Sequence, residues 1–226
     1  VYCKLEKNFG IAGNTNEALK LANGDYIGLF DHDDLLTLDC LYEIVDSLQD
    51  KEHDIIYTDE DKIDETSTYF FGPHFKPNFN KTLLCSYNYI THFFVVKKEI
   101  VDKIGNFRSE FDGSQDYDFI FRCVETAKSV YHIPKVLYHW RVHQFSTAGN
   151  PESKLYCYEA GKRAIESHYK RFNIQSQVEI IDRWIAYHPT FELTSFPLIS
   201  VIIRHDGETA SLEKCIESLY KLNTYK

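Results

Sequence analysis

The sequence predicts an α/β domain with a mixed, mostly parallel sheet and flanking helices. Three observations carry that expectation. Helix-like and strand-like segments alternate through the N-terminal part of the chain, the strand-like segments run directly into acidic loops, and the composition is that of a folded globular protein. The 226 residues are 43% hydrophobic and 26% charged, which suffices to bury a sizeable core. Alternation of this kind belongs to α/β architecture, whose ligands collect at the carboxyl ends of strands.

The segment NTNEALKLA (14–22) has helix-forming composition and is followed by Asn23-Gly24, a left-handed stop. DYIGLF then reads as a short buried strand. Beyond it, Leu38, Leu41, Ile44, Val45 and Leu48 recur at helical spacing, and HDIIYTDED reads as a second strand ending in a second acidic patch. FFGPHFKPNFN reads as an ordered aromatic loop, YITHFFVVKK as a strand, and DYDFIFRCVETA as a helix with Phe119, Cys123 and Ala127 along one side. VYHIPKVLYHWRVH predicts two short strands hinged at Pro134. From Pro151 to Phe172 a long amphipathic helix is expected, with Gly161 permitting close approach to a neighbour. At LISVIIR the pattern restarts as a buried strand, followed by an amphipathic helix from Leu212.

The net charge of −9 and the scattered basic residues argue against nucleic acid as a partner, because phosphate capture needs clustered Lys and Arg. The six cysteines are widely spaced with no CxxC pair, the pattern of reduced thiols in a cytosol. No apolar run approaches a membrane span and no signal peptide opens the chain, so the expected location is cytoplasmic. The absence of Met, even at position 1, predicts a piece of a longer protein.

Asp31, Asp33 and Asp34 in FDHDDLL repel one another unless a cation, a donor cluster or solvent relieves them. Two carboxylates one residue apart after a strand supply hard oxygen ligands suited to Mg²⁺ or Mn²⁺. The same pattern also fits a solvated acidic loop. An EF-hand fails because Leu35 and Leu36 stand where a ligand and Gly are required. An aspartyl-phosphate phosphatase remains a distant alternative without the Gly-Thr that customarily follows its DxD. Asp116 opens a helix, where the exposed N–H groups favour a carboxylate, and an ionised Asp can also serve as general base. Gly113 before it permits a tight approach. His139, Arg141 and His143 alternate along a strand and so share a face, either as a plain polar surface or as contacts to a metal and a diphosphate.

KNFGIAGNTNEALKLANGDYIGLFDHDDLL resembles the donor-binding half of family 2 glycosyltransferases, with their Asn-x-Gly segment, Gly-Asp-Tyr strand and DxDD loop. YTDEDKI, HFKPNFNKTLLCSYNYITH, GSQDYDFIFRCVE and VLYHWRVHQFSTAGNP are similar to the rest of that domain in bacterial tandem enzymes that build surface polysaccharides. The resemblance implies a GT-A fold lacking its N-terminal strand and helix, and inverting transfer from a nucleotide-sugar donor to a glycan or lipid-linked acceptor. It implies Asp33 as ligand of Mg²⁺ or Mn²⁺, Asp31 near the ribose or the metal's waters, and Asn8 by the nucleoside. Asp116 would be the base, His143 a metal or diphosphate contact with His139 as second candidate, and Arg141 a phosphate grip. Peripheral association with the cytoplasmic membrane face follows from such an acceptor, and the piece alone is expected to turn over poorly. The domains expected are 1–188, a linker at 189–197, and the start of a second glycosyltransferase domain at 198–226. A non-catalytic carbohydrate-binding or scaffold module, using the abundant Tyr and Phe, is the competing reading.

Overall fold

Residues 55–60 are all buried, because both faces of the strand they begin are covered. The computed structural model describes residues 1–142, 155–181 and 186–225. In chain order its elements are α1 (Gly10–Leu19), β1 (Tyr26–Leu29), β2 (Leu35–Leu36), α2 (Cys40–Asp46), β3 (Ile55–Ile63), β4 (Phe70–His74), α3 (Lys81–Leu84), β5 (Phe94–Lys97), α4 (Lys98–Ile104), α5 (Gln115–Thr126), β6 (Val130–Arg141), α6 (Leu155–Arg171), β7 (Ser176–Ile181), β8 (Ala186–Phe191) and α7 (Thr209–Leu222). The described residues form two compact units, Val1–Phe191 and Glu192–Lys226.

The main sheet of the first unit has the order β1-β5-β3-β6-β2, with β4 also paired to β3. Strands β1, β3 and β6 run in one direction, but β5 lies antiparallel between β1 and β3. The sheet is therefore mixed, as expected, but not mostly parallel. Among the described residues β3 with β6 is its one parallel ladder. The expectation failed because alternating helices and strands suggested a helical crossover at every step, whereas after β3 the chain returns first as β4 and then as β5, both antiparallel to it.

Strand periodicity divides the core between the two faces. Ile55, Tyr57, Phe94 and Val96 face one side with Ala12 of α1, Phe119 and Phe121 of α5, and Ala164 and Ile165 of α6. Ile56, Val95, Ile133 and Leu137 face the other with Cys40 and Ile44. Helix α2 is shorter than its apolar spacing suggested, and it turns Cys40 and Ile44 inward while Leu38, Leu41 and Val45 are exposed. Inside the helical layer, Asp118 is fully buried and paired with both Arg108 and Arg122. Arg122 also donates to the carbonyls of Ile104 and Asn106, each at 3.0 Å.

Two further expectations change, and one pair of strands was not foreseen. Strand β6 is continuous rather than two strands hinged at Pro134. Its pairing with β3 jumps from Ile133 to Val136, so the proline, which has no N–H to give a ladder, sits in a bulge. Strands β7 and β8 form an antiparallel hairpin that no turn signal announced. Residues 198–204 form no strand, and Leu198 and Ile202 are 98% and 94% exposed. An apolar run becomes a strand only where a neighbour takes up its backbone groups, and no ladder includes this one. In the same unit, Glu208 caps α7 by accepting from the Ser211 N–H at 3.0 Å.

Candidate active site

The acidic loop spans the gap between β1 and β2, and its three carboxylates do different things. Asp34 is buried, accepting the Tyr138 hydroxyl on Oδ2 and the Arg141 backbone N–H on Oδ1 at 2.8 Å. Asp31 and Asp33 keep 66% and 37% of their side-chain surface exposed. Loss of water around Asp31 raises its pKa; His92 opposes the rise, while the charges of Asp116 and Asp33 add to it. The crowding visible in the sequence is thus relieved partly by turning one carboxylate inward.

Arg141 secures this loop from behind. Its Nε donates to the Asp33 carbonyl at 2.5 Å, and its Nη1 to Asp64 O, Glu65 O and Ser67 Oγ at 3.1, 3.2 and 2.7 Å. His139 lies two residues earlier on β6 with Nδ1 2.5 Å from Asp61 Oδ1. His143 lies outside the described residues. Asn8 is exposed and closes the turn into α1, its Oδ1 accepting from Gly10 N and Asn14 Nδ2, both at 2.9 Å.

Successive carboxylates of β3 each meet a histidine. Asp59 lies 2.7 Å from His132 Nε2, Glu60 reaches His74 and His92 at 3.4 and 3.1 Å, and Asp61 meets His139. Glu60 also accepts Lys76 Nζ at 3.2 Å, with none of the lysine side chain exposed. Burial would push the Glu60 pKa up, but Lys76 and the two histidines outweigh it and hold the carboxyl well below its usual range. Burial lowers Lys76 to about 8 against the pull of Glu60. For His92 burial is outweighed by Glu60, and its pKa is raised. The sequence showed the acidic patch but not Lys76 or His92 as its partners.

Asp116 stands in the first turn of α5 with Oδ2 accepting from Asn88 Nδ2 at 2.9 Å and Thr91 Oγ1 at 3.0 Å. Gly113 just before it has φ +97°, and a Cβ there would lie 2.4 Å from the Tyr156 ring, so the tight approach needs glycine. Asp116, Asp31, Thr91 and His92 line one cleft of about 640 Å³, whose apolar wall includes Ile27 and Ala18. Among the described residues no group of three or more His, Cys, Asp or Glu is placed to hold a metal. Asp31 and Asp33 still offer the one or two carboxylates with which Mg²⁺ is held when substrate phosphates and water complete its shell.

Residues 1–107 match the family described as glycosyl transferase family 2. This segment belongs to that family. The family 2 segment carries the acidic loop, the β3 carboxylates and the Asn88–His92 loop, while Asp116 and β6 follow it. Among curated relatives, the uncharacterized protein y4gI of Sinorhizobium fredii is 38% identical over 226 residues, 97% of this chain and 24% of that protein. The O-antigen biosynthesis protein RfbC of Myxococcus xanthus is 30% identical over 212 residues, 93% of this chain and 16% of its own. The chain thus spans about a quarter or less of these relatives. The crystal structure of S. aureus TarS 1–349 in complex with UDP-GlcNAc aligns with a TM-score of 0.54 at 18% identity, covering 73% of this chain and 48% of that one. TarS 1–349 alone gives 0.53 at 19%, covering 73% and 46%. The fold is the GT-A fold of these structures.

Proposed function

We propose that the first unit transfers a sugar, with inversion, from a nucleotide-sugar donor to a hydroxyl of a growing surface polysaccharide or lipid-linked glycan. The observation that carries this reading is the cleft shared by Asp31, at the mouth of the acidic loop, and Asp116, on the helix across from it. One anchors the leaving side of the reaction and the other receives the acceptor's proton. The family match, the role named for RfbC and the UDP-GlcNAc held by TarS support the substrate class. Residues 1–188 are taken as the transferase domain and 189–197 as a linker to the start of a second one, a division supported by the break between Phe191 and Glu192. The work is assigned to the cytoplasm, at the inner membrane face where a lipid-linked acceptor would be presented.

In the transfer, the acceptor oxygen bonds to the anomeric carbon as the bond from that carbon to the diphosphate oxygen breaks. The hydroxyl proton passes to Asp116, and the nucleoside diphosphate departs. Mg²⁺ or Mn²⁺ held by Asp33 and Asp31, with His139 and His143 as further candidate contacts, would offset the charge of the departing diphosphate. Arg141 keeps the acidic loop in register through its carbonyl contacts, and Asn8 with Asn14 shapes the turn where the nucleoside is expected.

Calorimetric titration of UDP, GDP and dTDP with and without Mn²⁺ tests the donor site. Binding that requires both the metal and Asp33, and is lost in Asp33→Ala, is the expected result. Saccharide binding with no dependence on metal or nucleotide would favour a carbohydrate-binding module instead.

A further inference from the structure

We infer that Thr91 and Asn88 are positioning residues for Asp116. They hold its Oδ2 and thereby turn Oδ1 toward the acceptor hydroxyl. This inference rests on the reading of Asp116 as the base and goes beyond it by assigning the residues that aim it. A carboxylate is a proton acceptor in a definite direction, and rotation about its last bond would exchange its two oxygens. Here both donors, Asn88 Nδ2 at 2.9 Å and Thr91 Oγ1 at 3.0 Å, fall on the same oxygen. Among the described residues no hydrogen bond reaches the other. Turning the carboxylate plane out of this position would cost two hydrogen bonds to a charged group, and a half-turn only restores the same arrangement, so one oxygen is always held and the other left facing away from the donors before substrate arrives.

The donors are themselves fixed. They lie on the loop between α3 and β5, which the buried charge pair pins from beneath. Lys76 Nζ donates to the Ile90 carbonyl at 3.1 Å and to that of His92, while Glu60 accepts the His92 backbone N–H. Tyr89, fully buried, accepts the Asn80 N–H on its hydroxyl at 2.7 Å. The Asn88 amide oxygen is buried with no hydrogen-bond partner among the described residues, so this amide is placed by what its nitrogen donates to. Thr91 also lines the cleft beside Asp116. The buried network on β3 and the base on α5 are thus joined through one loop.

Turnover of UDP-N-acetylglucosamine, UDP-glucose and dTDP-rhamnose, read as release of the nucleoside diphosphate with water as acceptor, tests the assignment. Thr91→Val keeps the shape and removes the hydroxyl. It should lower kcat by about tenfold to a hundredfold with the donor KM unchanged, and Thr91→Ser should restore most of the rate. In an Asp116→Asn background Thr91→Val should change nothing further, a result that a general loosening of the loop would not give. Wild-type turnover in Thr91→Val, or a Thr91→Ser variant no better than it, overturns the inference while leaving the base intact. Turnover in Asp116→Asn equal to wild type instead removes the base assignment. A crystal structure of the chain decides the geometry independently of turnover. Asp116 Oδ2 within hydrogen-bond reach of both Thr91 and Asn88 supports the inference, and a carboxylate turned away from both ends it.

Discussion

Lys76 Nζ lies 3.2 Å from Glu60 Oε2 with the whole lysine side chain removed from solvent. A lone charge in that position would be costly, and each partner is tolerable because of the other and because further groups share the load. Glu60 also meets His74 and His92, and Lys76 also donates to two backbone carbonyls. The pair therefore fixes the Asn88–His92 loop as well as β3. Lys76→Met leaves Glu60 buried without its counter-charge and should cost about 3–5 kcal/mol, read as a lowered urea midpoint. Lys76→Met combined with Glu60→Gln should recover part of that loss, and a double variant no better than the single would show that the pair is not coupled.

A second, half-buried cluster gives a pH dependence with a definite sign. Glu125 lies 2.5 Å from His168 and 2.6 Å from Arg171. Burial would raise its pKa, but these two partners outweigh it and the pKa is lowered from 4.5. A carboxyl whose folded pKa is depressed stabilises the fold above its unfolded pKa, and the contribution fades as pH falls through the folded value. Glu125→Gln should therefore cost about 1.5–3 kcal/mol at pH 7, the range of hydrogen bonds to charged groups. The gap between variant and wild type should narrow as unfolding is measured at successively lower pH below 4.5. A gap constant from pH 7 to 3 would show that the charge of Glu125 contributes nothing.

Gly161 of α6 is where Tyr187 of β8 comes closest. A Cβ at this position would lie 2.0 Å from the tyrosine hydroxyl oxygen and 2.7 Å from Cζ. Tyr187 is fully buried, and its hydroxyl donates to Tyr158 O at 3.1 Å, so the ring has nowhere to retreat. Gly161→Ala should cost about 1–3 kcal/mol through overpacking, visible as a lower Tm. Gly161→Ala with Tyr187→Leu should lose less than the two single losses added, because the second change removes the clashing ring.

The sequence made this contact half legible, since Gly161 stood out in an amphipathic helix, but its partner lay in a hairpin that nothing local announced. The same limit recurs elsewhere. Strand β5 was readable because burial on both faces writes a continuous apolar run, β3 because a short apolar start runs into an acidic patch, and the GT-A reading followed from ordered motifs. Glu60, Lys76 and His92 come together only after β4 and β5 return to β3, so no local spacing records their meeting. Residues 198–204 mislead for the opposite reason. Their apolar run has the composition of a strand, but strand formation also needs a neighbour, which composition does not encode.

The three carboxylates of the acidic loop look equivalent in sequence and should behave differently when removed. Asp34→Ala takes the acceptor from the Tyr138 hydroxyl and from the Arg141 N–H, both of which lie behind the loop. Leaving such groups unpaired should cost about 1–3 kcal/mol each, so Asp34→Ala should lower Tm. Asp33 contributes its backbone carbonyl to Arg141, a contact that Asp33→Ala retains, and its carboxylate is partly exposed. Asp33→Ala should therefore stay within about 0.5 kcal/mol of wild-type stability while abolishing metal-dependent nucleotide binding. Thermal unfolding and UDP titration with Mn²⁺ on the same two variants separate the roles. If Asp33→Ala binds as wild type does while Asp34→Ala folds normally and does not, the inward carboxylate is the ligand and the division of labour in this loop is reversed.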